Sequence, residues 1–214
     1  MKVSIFERVI SNTQYETDLD DIVRIMTSSQ RLRSQCEEYR THIKNGNLES
    51  ASIIKMTRIP AFIPSAIMYG GQKRKDVVGL TDLCFLDIDH ISEEEIEAAK
   101  AILKNDSHVV LMARSISNEG LHFIIRYAFK DKDQPGTIDM TRKKLNYVYC
   151  SAFQSLCMHY EAKLNLTMDK YSCSMEKLFT LSYDEDTFYN KEAKPIVLRF
   201  GNRKGKKPYK ILEY

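Results

Sequence analysis

The sequence predicts an α+β fold built around a β-α-β-β-α-β core, and three observations carry that prediction. Residues 83–127 hold three apolar runs of strand length, Leu83–Asp89, Val109–Ala113 and Leu121–Tyr127, with a helical stretch between the first two. A longer helical stretch of about 139–163 follows, with Leu145, Val148, Ala152, Leu156 and Tyr160 on one side. After it comes another short apolar run, Leu178–Leu181. This is the split-βαβ order, ferredoxin-like or RRM-like: an antiparallel sheet with helices on one face, an open second face, and its first and third strands adjacent at the centre.

Each element has its own signal. Residues 17–46 read as one or two helices. Thr17 is placed to cap the first, and Asp18, Asp20 and Asp21 occupy the opening turn, where the helix dipole favours acids. Leu32, Cys36, Tyr39 and Ile43 recur at helical spacing, and Gly46 marks a stop. Residues 1–50 are therefore expected to form an N-terminal helical layer packed on the core. Between 55 and 80 Pro60, Pro64 and the Gly70-Gly71 pair break regular structure, while Phe62 and Tyr69 alternate with Lys55, Arg58, Lys73, Arg74 and Lys75. Such a loop can follow phosphates and stack bases, or can be a connector with a buried Phe62. Ser92 with Glu95 is a capping box opening a helix to about Lys104, with Ile96, Ala99 and Leu103 inward. Pro135-Gly136 loosen the chain before the long helix, and Ile196–Phe200 reads as one more strand. The main domain is then 51–200, with 201–214 a basic tail or the start of a linker.

At 214 residues, 43% hydrophobic and 29% charged, the chain can bury a normal core. It has no run of about 18 apolar residues, so no membrane span is expected. Met1–Glu7 is too short and too soon charged for a signal peptide. The five cysteines, at 36, 84, 150, 157 and 173, include no Cys-x-x-Cys pair, which points to reduced thiols in a cytoplasmic protein and against zinc. The net charge of +3 hides a gradient, because seven Lys and Arg and no acid lie in residues 193–212, leaving −4 elsewhere. Such a run suits a solvated tail as well as a polyanion.

The chemistry-bearing stretch runs from Cys84 to His122. Residues two apart on a strand share a face, so Asp87 and Asp89 stand side by side with Ile88 opposite. Two carboxylates at that distance repel unless a cation lies between them, though an Asp at a strand end can also simply cap the next helix. In the expected order the strand beginning at Gly120-Leu121-His122 neighbours this one. Gly120 removes a side chain where a ligand could approach, and His122 then stands beside the acids. Asp169 follows the long helix in a position to return to the sheet, and Lys177 enters the last core strand. Three carboxylates, a His and a Lys suit two Mg²⁺ or Mn²⁺ ions and a triphosphate.

The order apolar-Asp-x-Asp, then Ser117 with Gly120-x-His122, then apolar-Asp169 resembles the three motifs of the archaeo-eukaryotic primase superfamily, the primase-polymerases. More closely, Arg58-Ile59-Pro60-Ala61-Phe62, Gly70-Gly71, Leu86-Asp87-Ile88-Asp89-His90, Gly120-Leu121-His122 and Leu181-Ser182-Tyr183-Asp184 resemble the N-terminal domain ahead of virulence-associated protein E-type helicases of mobile genetic elements, over about Ile54 to Asn190. The resemblance implies Asp87, Asp89 and Asp169 as catalytic metal ligands for two Mg²⁺ or Mn²⁺ ions. It implies Ser117 and His122 at the incoming nucleotide's phosphates, with Gly120, Lys177 and Arg114 completing the nucleotide-binding set. Lys177 stands where the superfamily usually has an Arg, and a Lys holds a phosphate without the bidentate fork. Lys55, Arg58, Lys73 and Arg74 are the expected nucleic-acid contacts. The implied partners are a single-stranded DNA template and primer, an NTP or dNTP, and a helicase domain or subunit. The zinc element of many relatives is not expected here.

The leading expectation is thus a metal-dependent nucleotidyltransferase of the primase/polymerase kind, acting in DNA replication. A second is a non-catalytic module binding single-stranded nucleic acid or nucleotide. A rolling-circle nuclease shares this topology but wants two His flanking one apolar residue, and His122-Phe123-Ile124 lacks the second.

Overall fold

The computed structural model describes residues 1–130, 141–170, 173–199 and 210–212. The chain opens with an antiparallel hairpin, β1 (Lys2–Phe6) and β2 (Gln14–Asp18), followed by α1 (Leu19–Ser28), α2 (Gln30–Lys44) and α3 (Leu48–Arg58). Short strands β3 (Ala61–Ile63), β4 (Ala66–Met68) and β5 (Val77–Leu80) lead into the core. The core is β6 (Leu83–Asp89), α4 (Glu93–Lys104), β7 (Val109–Arg114), β8 (Gly120–Phe129) and α5 (Arg142–Leu164). Four short strands follow: β9 (Phe179–Thr180), β10 (Phe188–Tyr189), β11 (Ile196–Arg199) and β12 (Lys210–Leu212).

The α+β class is the one observed, and strand β8 is its hub. It pairs antiparallel with β6 on one side and β7 on the other, so the first and third core strands are neighbours. Its last residues, Tyr127–Phe129, also pair parallel with β11, which carries β12, and β10 pairs with β7. Alternation along β6 explains its near-continuous apolar sequence, since a strand buried on both faces has no polar side to show. Cys84, Leu86 and Ile88 pack with Leu121, Phe123 and Ile125 under α4 and α5, which contribute Ile96, Leu103, Tyr149, Phe153 and Tyr160. Leu83 and Phe85 face the other way, into a second core with Ile124, Phe62, Phe179, Leu19, Ile22 and Met26. Asp87 and Asp89 continue that second face to the strand end. The capping box is formed as expected, Ser92 Oγ accepting from Glu95 N and Glu95 Oε2 from Ser92 N.

Several expectations need correction. The second sheet face does not lie open, because the N-terminal layer covers it up to the end where Asp89 reaches solvent. That layer is not purely helical. Strand β1 pairs with β3, and the sheet runs β2-β1-β3-β9, so residues 1–18 and 61–63 belong to one structure. The division at residue 50 falls inside α3. Thr17 lies within β2, opposite Val3, instead of capping α1; Asp18 stands at the cap position, but its carboxylate takes the amino terminus of Met1 at 3.0 Å. The last strand of the expected order, β9, hydrogen-bonds to β3 and not beside β6. Residues 201–209 and 213–214 of the expected tail, the last residue of the expected Ile196–Phe200 strand, and the Pro135-Gly136 stretch lie outside the described residues; Lys210–Leu212 pair with β11.

Gly120 has a structural cause of its own. A Cβ there would stand 2.1 Å from the carbonyl oxygen of Ile88 and 3.2 Å from Asp89 Cα, so it is the backbone of β6 that occupies the space once assigned to a ligand. Overpacking a well-packed site costs about 1–3 kcal/mol. Gly120→Ala should therefore lower the unfolding free energy by about that much or more, read from the midpoint of urea denaturation. A midpoint equal to that of the native chain would show that the two strands part at no cost.

Candidate metal centre

The register of β6 against β8 builds the site. Asp87 is directly opposite His122, and Asp89 opposite Gly120. Strand β6 ends immediately beyond, where His90 takes a left-handed backbone (φ 57°). The third acid comes from far along the chain. Helix α5 stops at Asn165, also left-handed (φ 54°), and the loop then crosses to the sheet, where Asp169 N donates to the carbonyl of Asp87 at 2.8 Å. This backbone bond holds the loop against β6. Asp87, Asp89 and Asp169 thereby each offer a carboxylate oxygen, all within 4.8 Å of one another.

His122 is held by aromatic edges. Its ring meets Phe85 at 5.3 Å and Phe179 at 5.0 Å, both T-shaped. The ring edge is thereby aimed at Asp87, with Nε2 3.3 Å from Oδ1. That is a charge contact and not an aligned hydrogen bond: Asp87 Oδ1 and His122 Nδ1, both buried, have no hydrogen-bond partner among the described residues. A buried carboxylate oxygen without a hydrogen-bond partner is costly. Lys177 Nζ lies 3.7 Å from Asp169 Oδ2.

The two neighbouring acids titrate in opposite directions. Burial pushes the Asp87 carboxyl up, but the attraction of His122, then of Lys177 and Lys55, outweighs it and holds the group below the usual carboxylate range. Burial also pushes Asp89 up, and there the charges of Asp87 and Asp169 add to it, so the carboxyl sits above its ordinary value. A carboxylate raised by like charges is one that a cation would relieve. Oxygen donors alone, three of them anionic, suit Mg²⁺ or Mn²⁺, so the residues present fit the ions expected.

The other candidate residues are distributed unevenly. Ser117 lies in the β7–β8 turn, where its hydroxyl is 3.1 Å from Ser115 Oγ and accepts from Glu119 N at 3.3 Å. Arg114 is on the helix face of β7, opposite Leu121, with its guanidinium on Glu93 and Glu97 of α4 at 2.5–2.8 Å. It is not brought to the acids. Asp184, at the end of the Leu181–Asp184 motif, accepts from the backbone N of Arg114 at 2.9 Å and is structural. Lys55 is on α3, within electrostatic reach of Asp87. Arg58 pairs with Glu38 at 2.7 Å and Arg74 with Glu176 at 2.9 Å, while Lys73 is exposed. Sequence reasoning missed Phe179 as the wall behind His122. Its signal was present, since Phe179 is two residues beyond Lys177 and shares its side of an extended chain. All five cysteines are free thiols, and no helix of the described residues is long and apolar enough to cross a membrane.

Three carboxylates on β6 and the loop after α5, flanked by His122 and Lys177, define a candidate divalent-cation centre on an α+β scaffold. The chain belongs to the family described as BT4734-like, N-terminal domain, whose model matches residues 54–189. That span holds all three acids, His122 and Lys177. No curated protein and no solved structure matches the chain.

The pKa directions give a test. Protonating Asp89 is easier in the folded than in the unfolded chain, so without a cation this group favours folding as pH falls through its raised pKa and opposes folding at neutral pH. Asp89→Asn should therefore raise the melting temperature of the metal-free protein at pH 7, while reducing the further rise on adding Mn²⁺. Equal Mn²⁺-induced shifts in both proteins, followed by scanning calorimetry, would mean that no ion binds at this cluster.

Proposed function

We propose that the chain is a primase-polymerase-type nucleotidyltransferase domain that joins nucleotides on a single-stranded DNA template in the cytoplasm. The observation that carries this reading is the convergence of Asp87, Asp89 and Asp169, from two separate segments, to within 4.8 Å beside His122 and Lys177. The motif order of the sequence supports it. In this reading the three carboxylates hold the ions. Mg²⁺ or Mn²⁺ bound there would neutralise phosphoryl charge and lower the pKa of a primer hydroxyl. His122, held between Phe85 and Phe179, and Lys177 present N–H donors to the departing phosphates, with Ser117 at the mouth of the turn. Lys55 adds a second cation from the N-terminal layer. Chemistry of this kind is mostly positioning and electrostatics, and the side chains that would position the nucleotide are buried or anchored. A replicative helicase is the partner the resemblance implies.

A second reading, a non-catalytic module binding single-stranded nucleic acid or nucleotide, is favoured by one observation. Arg114 is committed to Glu93 and Glu97, leaving Lys177 as the cation beside Asp169, and a lysine does not grip a phosphate with two parallel bonds.

Incorporation of labelled NTPs or dNTPs on a single-stranded template with Mn²⁺ or Mg²⁺ separates the two. Native chain should yield product, and Asp87→Ala or Asp89→Ala should reduce it by at least a hundredfold (~3 kcal/mol in the barrier) while the circular dichroism spectrum is kept. Product undiminished in either variant would remove the catalytic assignment, and no product from the native chain with DNA binding intact would select the binding module.

A further inference from the structure

Away from the acid cluster, β4 and β5 form a two-stranded ribbon that belongs to neither larger sheet. Its pairing shifts register between Ile67 and Met68, leaving a bulge opposite. Beside that irregularity Ile67 is 51% and Val78 54% exposed, and Tyr69, which opens the connection between the strands, is 79% exposed. Single exposed apolar residues are ordinary; three on one short ribbon are not.

The ribbon is also firmly held. Tyr69 N donates to Asp76 O at 2.8 Å, and the Asp76 carboxylate accepts from Lys73 N at 3.0 Å. That carboxylate fills the place of a Gly71 side chain, since a Cβ there would be 2.5 Å from Asp76 Oδ2. Gln72 donates to the carbonyls of Val9 and Ser11, and Gln14 to that of Met68. Arg74 pairs with Glu176, the residue before Lys177, tying the ribbon to the segment at the acid cluster. Exposed apolar groups on a rigid support lose little entropy when a ligand covers them.

The charge at the tip names the ligand class. Lys73 and Lys75 are exposed, and among the described residues neither pairs with an acid. The one acid of the connection, Asp76, is used by its own backbone. We propose that the β4–β5 ribbon is a docking surface for single-stranded nucleic acid, with a base stacked on Tyr69, apolar contact over Ile67 and Val78, and backbone phosphates at Lys73 and Lys75. An aromatic with flanking cations is the arrangement that grips single strands without reading sequence. The partner class rests on the proposed function, but the location does not follow from the acid cluster and is tested apart from it.

The measurement is fluorescence anisotropy of a labelled single-stranded deoxyoligonucleotide in chelator, so that no ion bridges strand and acids. Tyr69→Ala should weaken binding roughly fivefold to a hundredfold, the range for loss of one stacked base, while Tyr69→Phe keeps it. Lys73→Gln with Lys75→Gln should flatten the slope of log K against log salt by about 0.7 per lysine removed. Native-like affinity in Tyr69→Ala, or an unchanged salt slope in the lysine double variant, overturns the proposal. So does a dimer in sedimentation that Ile67→Ser dissolves while DNA binding stands, because the ribbon is then a contact between copies of the chain. Incorporation is scored separately: Tyr69-dependent binding without incorporation keeps this surface and removes the catalytic reading, and incorporation with Tyr69-independent binding does the reverse.

Discussion

The pairing of β6 with β8 in a single register is the constraint on which the site depends. Side chains on a strand alternate with period two, so a slip of one residue would send Asp87 and Asp89 under the helices and bring Ile88 to the second face. Burial on both sides makes such a slip expensive: each misplaced aliphatic side chain forgoes about 1.5–3 kcal/mol of burial, and carboxylates would enter an apolar core. Gly120 lets the strands close at the end where the acids lie, its missing side chain replaced by the carbonyl of Ile88. From that pairing alone, Asp87 faces His122.

Electrostatics then decides what the neighbourhood can hold. Three carboxylates within 4.8 Å would be an unstable grouping in a half-buried place. The protein offsets part of the repulsion itself, with His122 against Asp87 and Lys177 against Asp169. It compensates Asp89 least: burial and the charges of Asp87 and Asp169 outweigh the pull of His122 and His90 and hold that carboxyl above its ordinary value. The asymmetry matters because a carboxylate satisfied by protein cations has little to gain from an ion, whereas an unsatisfied one has much. The aromatic pair Phe85 and Phe179 keeps the His122 ring from swinging to meet solvent.

Much of the core was legible because local signals and tertiary environment agree there. The capping box at Ser92, the αL stop at Gly46 and the apolar run of β6 each act over a few residues, and each is found where the pattern places it. What the sequence hid is non-local. Nothing within residues 2–18 announces that β1 will pair with β3, nor does Phe179-Thr180 show that it will join the same sheet. Helix α3 was obscured because Lys55 and Arg58 read as loop cations when Ala51 and Ile54 were already its buried face. The position of Arg114 was hidden because motif order says nothing of strand parity: it shares the helix side of β7 with Met112, where α4 supplies two acids. The acids themselves were readable as a set because Asp-x-Asp fixes two of them on one face before any tertiary contact exists.

The sheet β2-β1-β3-β9 joins residues near the start of the chain to residues more than a hundred positions later, with Ala61 opposite Thr180. Bringing such distant segments together means closing long loops before any contact rewards the closure, which is slow. Phe179 reaches His122 only when β9 has docked, and Asp169 reaches Asp87 only when α5 has been laid across the sheet. The acid cluster is therefore among the last parts of the molecule to come into being. A chain still emerging during synthesis, with residues up to 130 folded, would carry Asp87 and Asp89 without their third member, and so would have little hold on a cation until the segment from Asp169 to Thr180 has followed.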